Sequence, residues 1–551
     1  MTTPSAEDPT PPDTRAAELP DDPADEIIAA PEEIAVTPPV DVVSVDHAEP
    51  AVEPPQVYEV ADAQPNVVRR LRVHGLFRMP DLQSAAIARV DPEPVRTMQS
   101  TYVDTADLRL ARWGVTLRRH DGDQEQGWVL TLPGDDVVTA ALSDEVPPEL
   151  RSLTGAFARS APLTDVATLR TERTPHVLFD ATDRPVGQVL DDTVSLLDGE
   201  HIAARFREVE VAPLTDGPSL EPVVSILRAA GAAADTTTAT DWVLGPGAHE
   251  AADVPEPGDV GPKDPAGEAI TAHLRRHARA LLLQDVRVRR DLPDSVHQMR
   301  VAARRLRSGL KAFEPLLDYE WAEGLRTELG WVAGELGVSR DTEVLQARID
   351  EHADEVGEPY AAAIRAVVDP ALSDQWRDAR DHALAAMASP RYEAFLEQLT
   401  QAAARPRLLE NAGQPAEDVL PALVEKAWNK LRKEVKLLEL DGPSDVWHEA
   451  RIRAKKARYA AEAVAPVMGD HVKKFAKALS GVTELLGEHQ DAWVAQNTLR
   501  ELAGRPDVDG MTGFSLGLLH QFEFEQEMFA RTDFVELWPD IKHAHKKARL
   551  G

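Results

Sequence analysis

Two stretches of this chain repeat one arrangement of cations. The first reads His297-Gln-Met-Arg300-Val301-Ala-Ala303-Arg304-Arg305-Leu306-Arg307, and the second, 151 residues on, reads His448-Glu-Ala-Arg451-Ile452-Arg-Ala454-Lys455-Lys456-Ala457-Arg458. An Asp precedes each His by three residues (Asp294, Asp445). A second matched pair follows at an offset of 150: Leu329 to Asp341, carrying Leu336-Gly337, and Leu479 to Asp491, carrying Leu486-Gly487. Two matched segments at nearly one offset imply duplication of a unit of several helices.

On a helix, His297, Arg300, Arg304, Arg307 and Lys311 fall at alternating spacings of three and four and stack along one face, as do His448, Arg451, Lys455 and Arg458. Arg305 and Lys456 stand beside these rows. Val301 and Leu306, or Ile452 and Ala457, are left to face a core. Like charges so placed repel by roughly 0.2–0.5 kcal/mol per pair, a standing cost unless anions relieve it. Arg presents a planar fork to phosphate oxygens and Lys a mobile point charge, and a turn of about 5.4 Å suits closely spaced phosphates. Two such helices facing one another would form a positive channel for a long polyanion. Lys433, Lys436, Lys473, Lys474 and Lys477 extend the candidate surface.

For one helix of this kind, a solvated face balanced by nearby carboxylates is the ordinary explanation; matched cations in two copies favour a ligand. Each His taken alone is more often a packing or helix-start residue, and Asp294 and Asp445 fit helix caps. Asp341, Asp491 and His489 either orient the basic side chains or cap loops. Around the two histidines no further metal ligands occur at suitable spacing.

Charge distribution bears on this reading, because the chain as a whole carries −34. Residues 1–66 hold sixteen acidic residues and one basic one, Arg15, whereas residues 270–312 hold eleven Lys or Arg against three Asp. The local field, not the net charge, decides what binds. Residues 1–66, rich in Pro, Ala, Asp and Glu, are expected to be a disordered acidic tail, either solvating or competing for the basic site. With no cysteine, thiolate metal sites, disulfides and cysteine nucleophiles are excluded. No leader pattern or membrane-length apolar run is evident, so the expectation is a cytoplasmic protein without membrane contact.

Residues 67–247 are β-rich. Expected strands are Val67–Leu76, Met98–Asp104, Val115–His120, Trp128–Leu132, His176–Asp180, Gly187–Leu197 and Arg205–Val211, with a helix over Leu220–Ala230. Many short antiparallel strands suggest a barrel or sandwich. A Pro- and Gly-rich linker follows over 248–265. Residues 266–551 read as an all-α domain of eight to ten helices, with repeats over about 266–405 and 420–549 and stops at Pro293, Pro315, Pro370, Pro406, Pro443 and Pro466.

The duplicated His-x-x-Arg pattern resembles the CHAD family. That resemblance implies two pseudo-symmetric helical bundles around a basic pore that binds inorganic polyphosphate, location on polyphosphate granules, and no catalysis. The β-rich part resembles the CYTH, or triphosphate tunnel, family in Tyr102-Val-Asp104-Thr105-Ala-Asp107-Leu108-Arg109-Leu110, Gly114-Val115-Thr-Leu117-Arg118-Arg119, Gly127-Trp128-Val-Leu130-Thr-Leu132-Pro133, Arg170-Thr-Glu-Arg173 and Arg207-Glu208-Val209-Glu210-Val211. It implies an eight-stranded antiparallel barrel with Arg and Lys for a triphosphate and Glu for a divalent metal. Arg118 and Arg173 then become candidate tunnel anion ligands, and Glu208 and Glu210 candidate metal ligands.

The chain departs from that pattern. The family's first strand carries Glu-x-Glu-x-Lys, where this chain has Asn66-Val67-Val68-Arg69-Arg70. Thr131 stands where a Lys is expected. Val68 offers no oxygen to a hard cation. The reading is therefore a multi-domain protein, a degenerate antiparallel barrel followed by a duplicated helical bundle, that binds inorganic polyphosphate with no cofactor. Magnesium or manganese enters only if the barrel is active. The alternatives are a metal-dependent triphosphatase or polyphosphatase, and an adaptor or nucleic-acid binder. The scarcity of aromatics weakens nucleic acid as partner.

Overall fold

The structure, a computed structural model, describes residues 68–550 apart from 123–125, 135, 216–217 and 235–238. The acidic segment 1–66 lies outside the described residues. The N-terminal part runs β1 (Arg69–Val73), β2 (Arg89–Pro92), β3 (Arg96–Asp104), α1 (Arg109–Arg112), β4 (Thr116–Gly122), β5 (Gly127–Leu132), β6 (Asp136–Ala140), α2 (Pro148–Ala158), β7 (Thr164–Phe179), β8 (Pro185–Asp198), β9 (His201–Pro213), α3 (Glu221–Ala229), β10 (Ala233–Ala234) and α4 (Ala239–Leu244).

These strands form one antiparallel sheet in the order β10-β1-β9-β8-β7-β3-β4-β5-β6, with β2 paired to the far half of β7. Among the described residues the path does not close, so the expected barrel is an open sheet. Its physical limit is at the rims: β10 has two residues and β6 five, too little ladder to join. The seven expected strands form, but the segment expected over His176–Asp180 belongs to β7, a strand of sixteen residues. Its first half alternates Thr, Arg and Glu with few apolar partners and gives little periodic signal. The strands β2 and β6 and the helix α2 were not expected either.

Strand alternation divides the charges from the core. Leu71, Val73, Val209 and Val211 pack with Val223, Val224 and Leu227 of α3. On the opposite face stand Arg70, Arg72, Glu208 and Glu210, paired in register across β1 and β9.

The helical part comprises ten α-helices: α5 (Ala266–Arg289), α6 (Ser295–Ala312), α7 (Tyr319–Glu335), α8 (Gly337–Val356), α9 (Tyr360–Met387), α10 (Pro390–Ala404), α11 (Ala416–Glu434), α12 (Ser444–Met468), α13 (Asp470–Ala503) and α14 (Gly510–Ala548). Pro370 and Pro466, expected as stops, lie inside α9 and α12. Each costs one N–H and crowds one carbonyl. Pro466 does so in the last turn, and the partly exposed α9 can leave a carbonyl to water.

The duplication is visible in the backbone. Ala266 N–H donates to the Gln414 carbonyl (2.9 Å) and Ala416 N–H to the Asp264 carbonyl (2.8 Å). Both partners in this exchange are 150 residues from their counterparts, as a pseudo-two-fold axis requires. On that mapping α5 matches α11, α6 matches α12, α7 with α8 matches α13, and α9 matches α14. One apolar core runs from Trp128 and Leu130 of the sheet through Phe157 of α2 into Leu281, Leu306 and Trp428 of the helices. Arg159, whose side chain is 1% exposed, joins Asp253 and Glu397 across that junction, and Arg290 pairs with Asp136.

Candidate functional site

The two repeated helices, α6 and α12, pack against each other. Val301 and Ile452 are partly buried, while Ala303, Leu306, Ala454 and Ala457 are fully so. Small residues on these faces let the helices approach, and the cationic rows meet beside that contact. Arg300 is 5% exposed and Arg451 1%; Arg304 and Lys455 are half-buried.

Arg300 Nη1 donates to the Gly337 carbonyl (3.0 Å) and to Asp341 Oδ1 (2.9 Å). Its Nη2 is buried without a hydrogen-bond partner within the protein. Arg304 lies over the Tyr459 ring at 5.4 Å, a contact that crosses from α6 to α12. Arg451 faces Asp491, the counterpart of Asp341 in the second repeat. Burial lowers the proton affinity of Arg300 and Arg451, with Asp341 and Asp491 opposing. It also takes the Lys455 ammonium well below its ordinary value, reinforced by Arg451 and Arg304. Burial pushes the Asp491 carboxyl up to about 7 against the pull of Arg451 and Arg348. Four cations from both repeats thus gather beside Asp341 and Asp491, and the second of these carboxyls is lifted out of its ordinary range.

The rows do not serve the cluster along their whole length. Arg458 bonds Glu462 (2.7 Å) and Thr483 (2.8 Å), and Arg305 approaches Glu462 at 3.9 Å. Lys311 pairs with Glu314 at 2.7 Å. Arg307 is half-buried and packs along Gly330 of α7. Lys456 is half-buried. His297 is buried, and His448 Nδ1 lies 2.7 Å from Gln490 Oε1. Lys433 and Lys436 are exposed at the end of α11 and in the turn after it. Neither is among the principal charges acting on Arg300, Arg451 or Lys455.

A supporting layer went unseen in the sequence. Arg348 of α8, 2% exposed, donates to Glu488 (2.9 Å) and to Glu523 of α14 (2.9 Å), and His352 Nδ1 meets Glu523 at 2.7 Å. Arg531 and His489 both reach Glu527. These pairs join residues as many as 175 positions apart, with no local pattern to announce them. The signal available was the apolar spacing of α14 broken by buried Glu523 and Glu527.

On the sheet, Arg173 forms a two-pronged pair with Asp192 (2.9 and 2.7 Å), and Arg70 donates to Glu210 (2.9 Å). Arg72 lies against both Phe206 (4.8 Å) and Trp242 (4.6 Å), whose rings also touch each other. Arg118 lies 5.8 Å from the Tyr102 ring. Glu208 is pushed up by burial and by Asp192. Arg173 is therefore committed to Asp192 rather than held open for an anion. Glu208 and Glu210 do not fit a hard divalent cation, which needs several convergent oxygens. Arg70 already claims Glu210, and among the described residues no three ligating side chains gather. Among them, too, no helix is long and apolar enough to cross a membrane.

The fold and the cluster define a duplicated helical bundle with a shared cationic contact, set behind an antiparallel sheet. The CHAD domain family matches residues 272–500. An uncharacterised protein of Mycobacterium tuberculosis strain CDC 1551 / Oshkosh is 30% identical over 497 residues, covering 84% of this chain and 94% of that protein. Among solved structures, PptA from Streptomyces chartreusis is similar at 27% identity and TM-score 0.44, over 50% of this chain and 100% of that one. The CHAD domain from the plant Ricinus communis is similar at 24% and 0.41, over 53% and 95%. The chain belongs to the CHAD family, its CHAD domain following an antiparallel sheet.

Proposed function

We propose that this protein binds inorganic polyphosphate in the groove between α6 and α12, in the cytoplasm and on polyphosphate granules, with a non-catalytic CYTH-like sheet alongside. One observation carries the reading. Arg300, Arg304, Arg451 and Lys455, equivalent pairs from two repeats, are brought together at one buried contact, close enough for the cations to act on one another. A buried guanidinium nitrogen on Arg300 is left open for an acceptor. An anion entering the groove would supply that acceptor and reverse the repulsion at once. Phosphates at close spacing do so at several points along one chain, and each contact releases counterions, making binding salt-dependent. A non-catalytic sheet is favoured by the pairing of Arg70 with Glu210 and of Arg173 with Asp192. Single-stranded nucleic acid would want exposed rings to stack on, whereas Tyr459 is buried under Arg304.

Reversing charge at all four positions would place carboxylates at the buried sites of Arg300 and Arg451. The better test is Arg304→Gln with Lys455→Gln, both half-buried. Charge-assisted contacts contribute about 1.5–3 kcal/mol each, so the double variant should lose at least about a hundredfold in affinity for immobilised polyphosphate. Unchanged affinity in a folded double variant would refute the reading.

A further inference from the structure

Away from the groove, three helices of the second repeat are pinned together by rings. Trp428 of α11 is 1% exposed. It stacks on His545 of α14 at 4.7 Å and meets Phe475 of α13 edge-on at 5.5 Å and Trp538 of α14 at 5.3 Å. His545 Nε2 also holds Glu425 Oε2 at 2.6 Å. Three segments of α11, α13 and α14 are thereby brought to one end of the bundle.

Exposed lysines flank three of those four rings: Lys426 and Lys430 beside Trp428, Lys473 and Lys474 beside Phe475, Lys542 and Lys546 beside His545, while Trp538 has Glu536 and Asp540 beside it. The segments 426–430, 473–477 and 542–547 together hold eight lysines and no carboxylate, in a chain of net charge −34. The nearest carboxylate in sequence to Lys426, Glu425, is already held by His545. The bond from Arg458 to Thr483 sets the register of α12 on α13. Passing along the groove from Arg451 to Arg458 therefore leads along α13 toward Lys477 and Lys474. These lie roughly 9–14 Å past Thr483 at 1.5 Å per residue.

We propose that this lysine-rich end is a second docking surface, which captures the length of polyphosphate that overhangs the groove. The proposal rests on the groove reading above and adds to it a preference for long chains. The chemistry at the two places differs. In the groove, arginines are buried and fixed by carboxylates and rings, which suits a few well-placed phosphates. At the end, lysines are point charges on flexible stems in water, which suits any dense anion without fixed geometry. Such a surface raises the encounter rate and makes the second contact intramolecular once the groove is filled.

Polyphosphate fits this surface better than other polyanions. A membrane surface would call for exposed apolar side chains among the lysines, and single-stranded nucleic acid for exposed rings. Trp428 and Phe475 are instead buried beneath the lysines.

The test uses the full chain and the variant Lys473→Gln/Lys474→Gln/Lys477→Gln, all at exposed positions. Each is titrated with tripolyphosphate and with long-chain polyphosphate over a range of salt. The expected result is unchanged tripolyphosphate affinity but at least about tenfold weaker long-chain binding near physiological salt. The salt slope for the long chain should fall by about one per lysine removed. Equal long-chain affinity and slope in the variant and the wild type would overturn the second surface and leave the groove standing. Wild-type protein that binds neither probe would overturn both.

Discussion

Asp491 is the residue whose protonation sets the charge balance of the groove. It is 7% exposed. Arg451 and Lys455 face it from α12, Arg348 from α8, and Glu488 from its own helix; Glu523 and His352 hold Arg348 from behind. Burial lifts its carboxyl from 3.8 to about 7. Between those two values the folded chain keeps a proton that the unfolded chain has lost. The unfolded state binds fewer protons there, so stability falls as pH rises through the window and levels off above it. At about 1.4 kcal/mol per unit, a lift of some three units costs on the order of 4 kcal/mol at high pH. Asp491→Asn keeps the shape and removes the titration. In urea unfolding at a series of pH values, the variant should gain on the wild type by that order between about pH 4 and pH 7, and the difference should be flat on either side. Parallel profiles, or a wild type that gains as pH rises, would refute the reasoning. If polyphosphate binds there as proposed, phosphate close by would raise the proton affinity of Asp491 further, and that of Lys455 with it. Binding near pH 7 should take up protons, visible as a calorimetric heat that varies with the buffer's ionisation enthalpy, and Asp491→Asn should reduce the uptake.

Two further outcomes follow from the packing and from the sheet. A Cβ at Gly309 would run into the His273 imidazole, which is buried at the contact of α5 with α6 and donates from Nε2 to the Arg305 carbonyl (3.0 Å). Gly309→Ala should therefore destabilise by about 1–3 kcal/mol, read by urea unfolding, and a neutral substitution would show that the two helices can part without cost. Tripolyphosphate with magnesium or manganese should release no phosphate above background; turnover that disappears in Glu208→Gln/Glu210→Gln would return the sheet to catalysis.

How much of this was legible in the sequence depends on the range of the interaction. The cationic rows at spacings of three and four are local, and they placed Arg300, Arg304, Arg451 and Lys455 on α6 and α12. The second matched pair at an offset of 150 singled out Asp341 and Asp491 either as residues that orient the basic side chains or as loop caps, and they lie against Arg300 and Arg451. What the pattern did not separate was the useful part of each row from the rest. Arg458 and Arg305 are drawn to Glu462, and Lys311 to Glu314. The pairs Arg458–Glu462 and Lys311–Glu314 are four and three residues apart and could have been read locally, whereas Arg305–Glu462 depends on how the two helices are rotated against each other. Lys433 and Lys436 were grouped with the groove by charge alone, and the fold leaves them exposed at the end of α11. The Arg348–Glu523 support depends on α14 folding back over α8, and the long first half of β7 on pairing with β3 and β8; neither has a local signature. The sheet's departures from the CYTH pattern it resembles were readable residue by residue, but not that Arg70 would close on Glu210 or Arg173 on Asp192.

Duplication explains why so costly a cluster is present at all. A pseudo-two-fold contact places each row opposite a copy of itself, so any cation near the axis meets its own counterpart. Exact symmetry would give Asp341 and Asp491 the same environment. In fact Asp341 is 41% exposed in its side chain and paired with Arg300, while Asp491 is buried and carries the raised proton affinity. Likewise Glu462 stands in the second repeat where the first has Lys311, and it draws Arg305 and Arg458 away from the centre. The divergence of the repeats has trimmed two long like-charged rows to four central residues that still act on one another. Stability alone would have favoured trimming those as well, since buried charges set beside like charges cost more than apolar side chains of similar size. That they stand opposite each other, backed by a layer of buried ion pairs from α8 and α14 that fixes their positions, is the arrangement expected of a site for an anionic ligand.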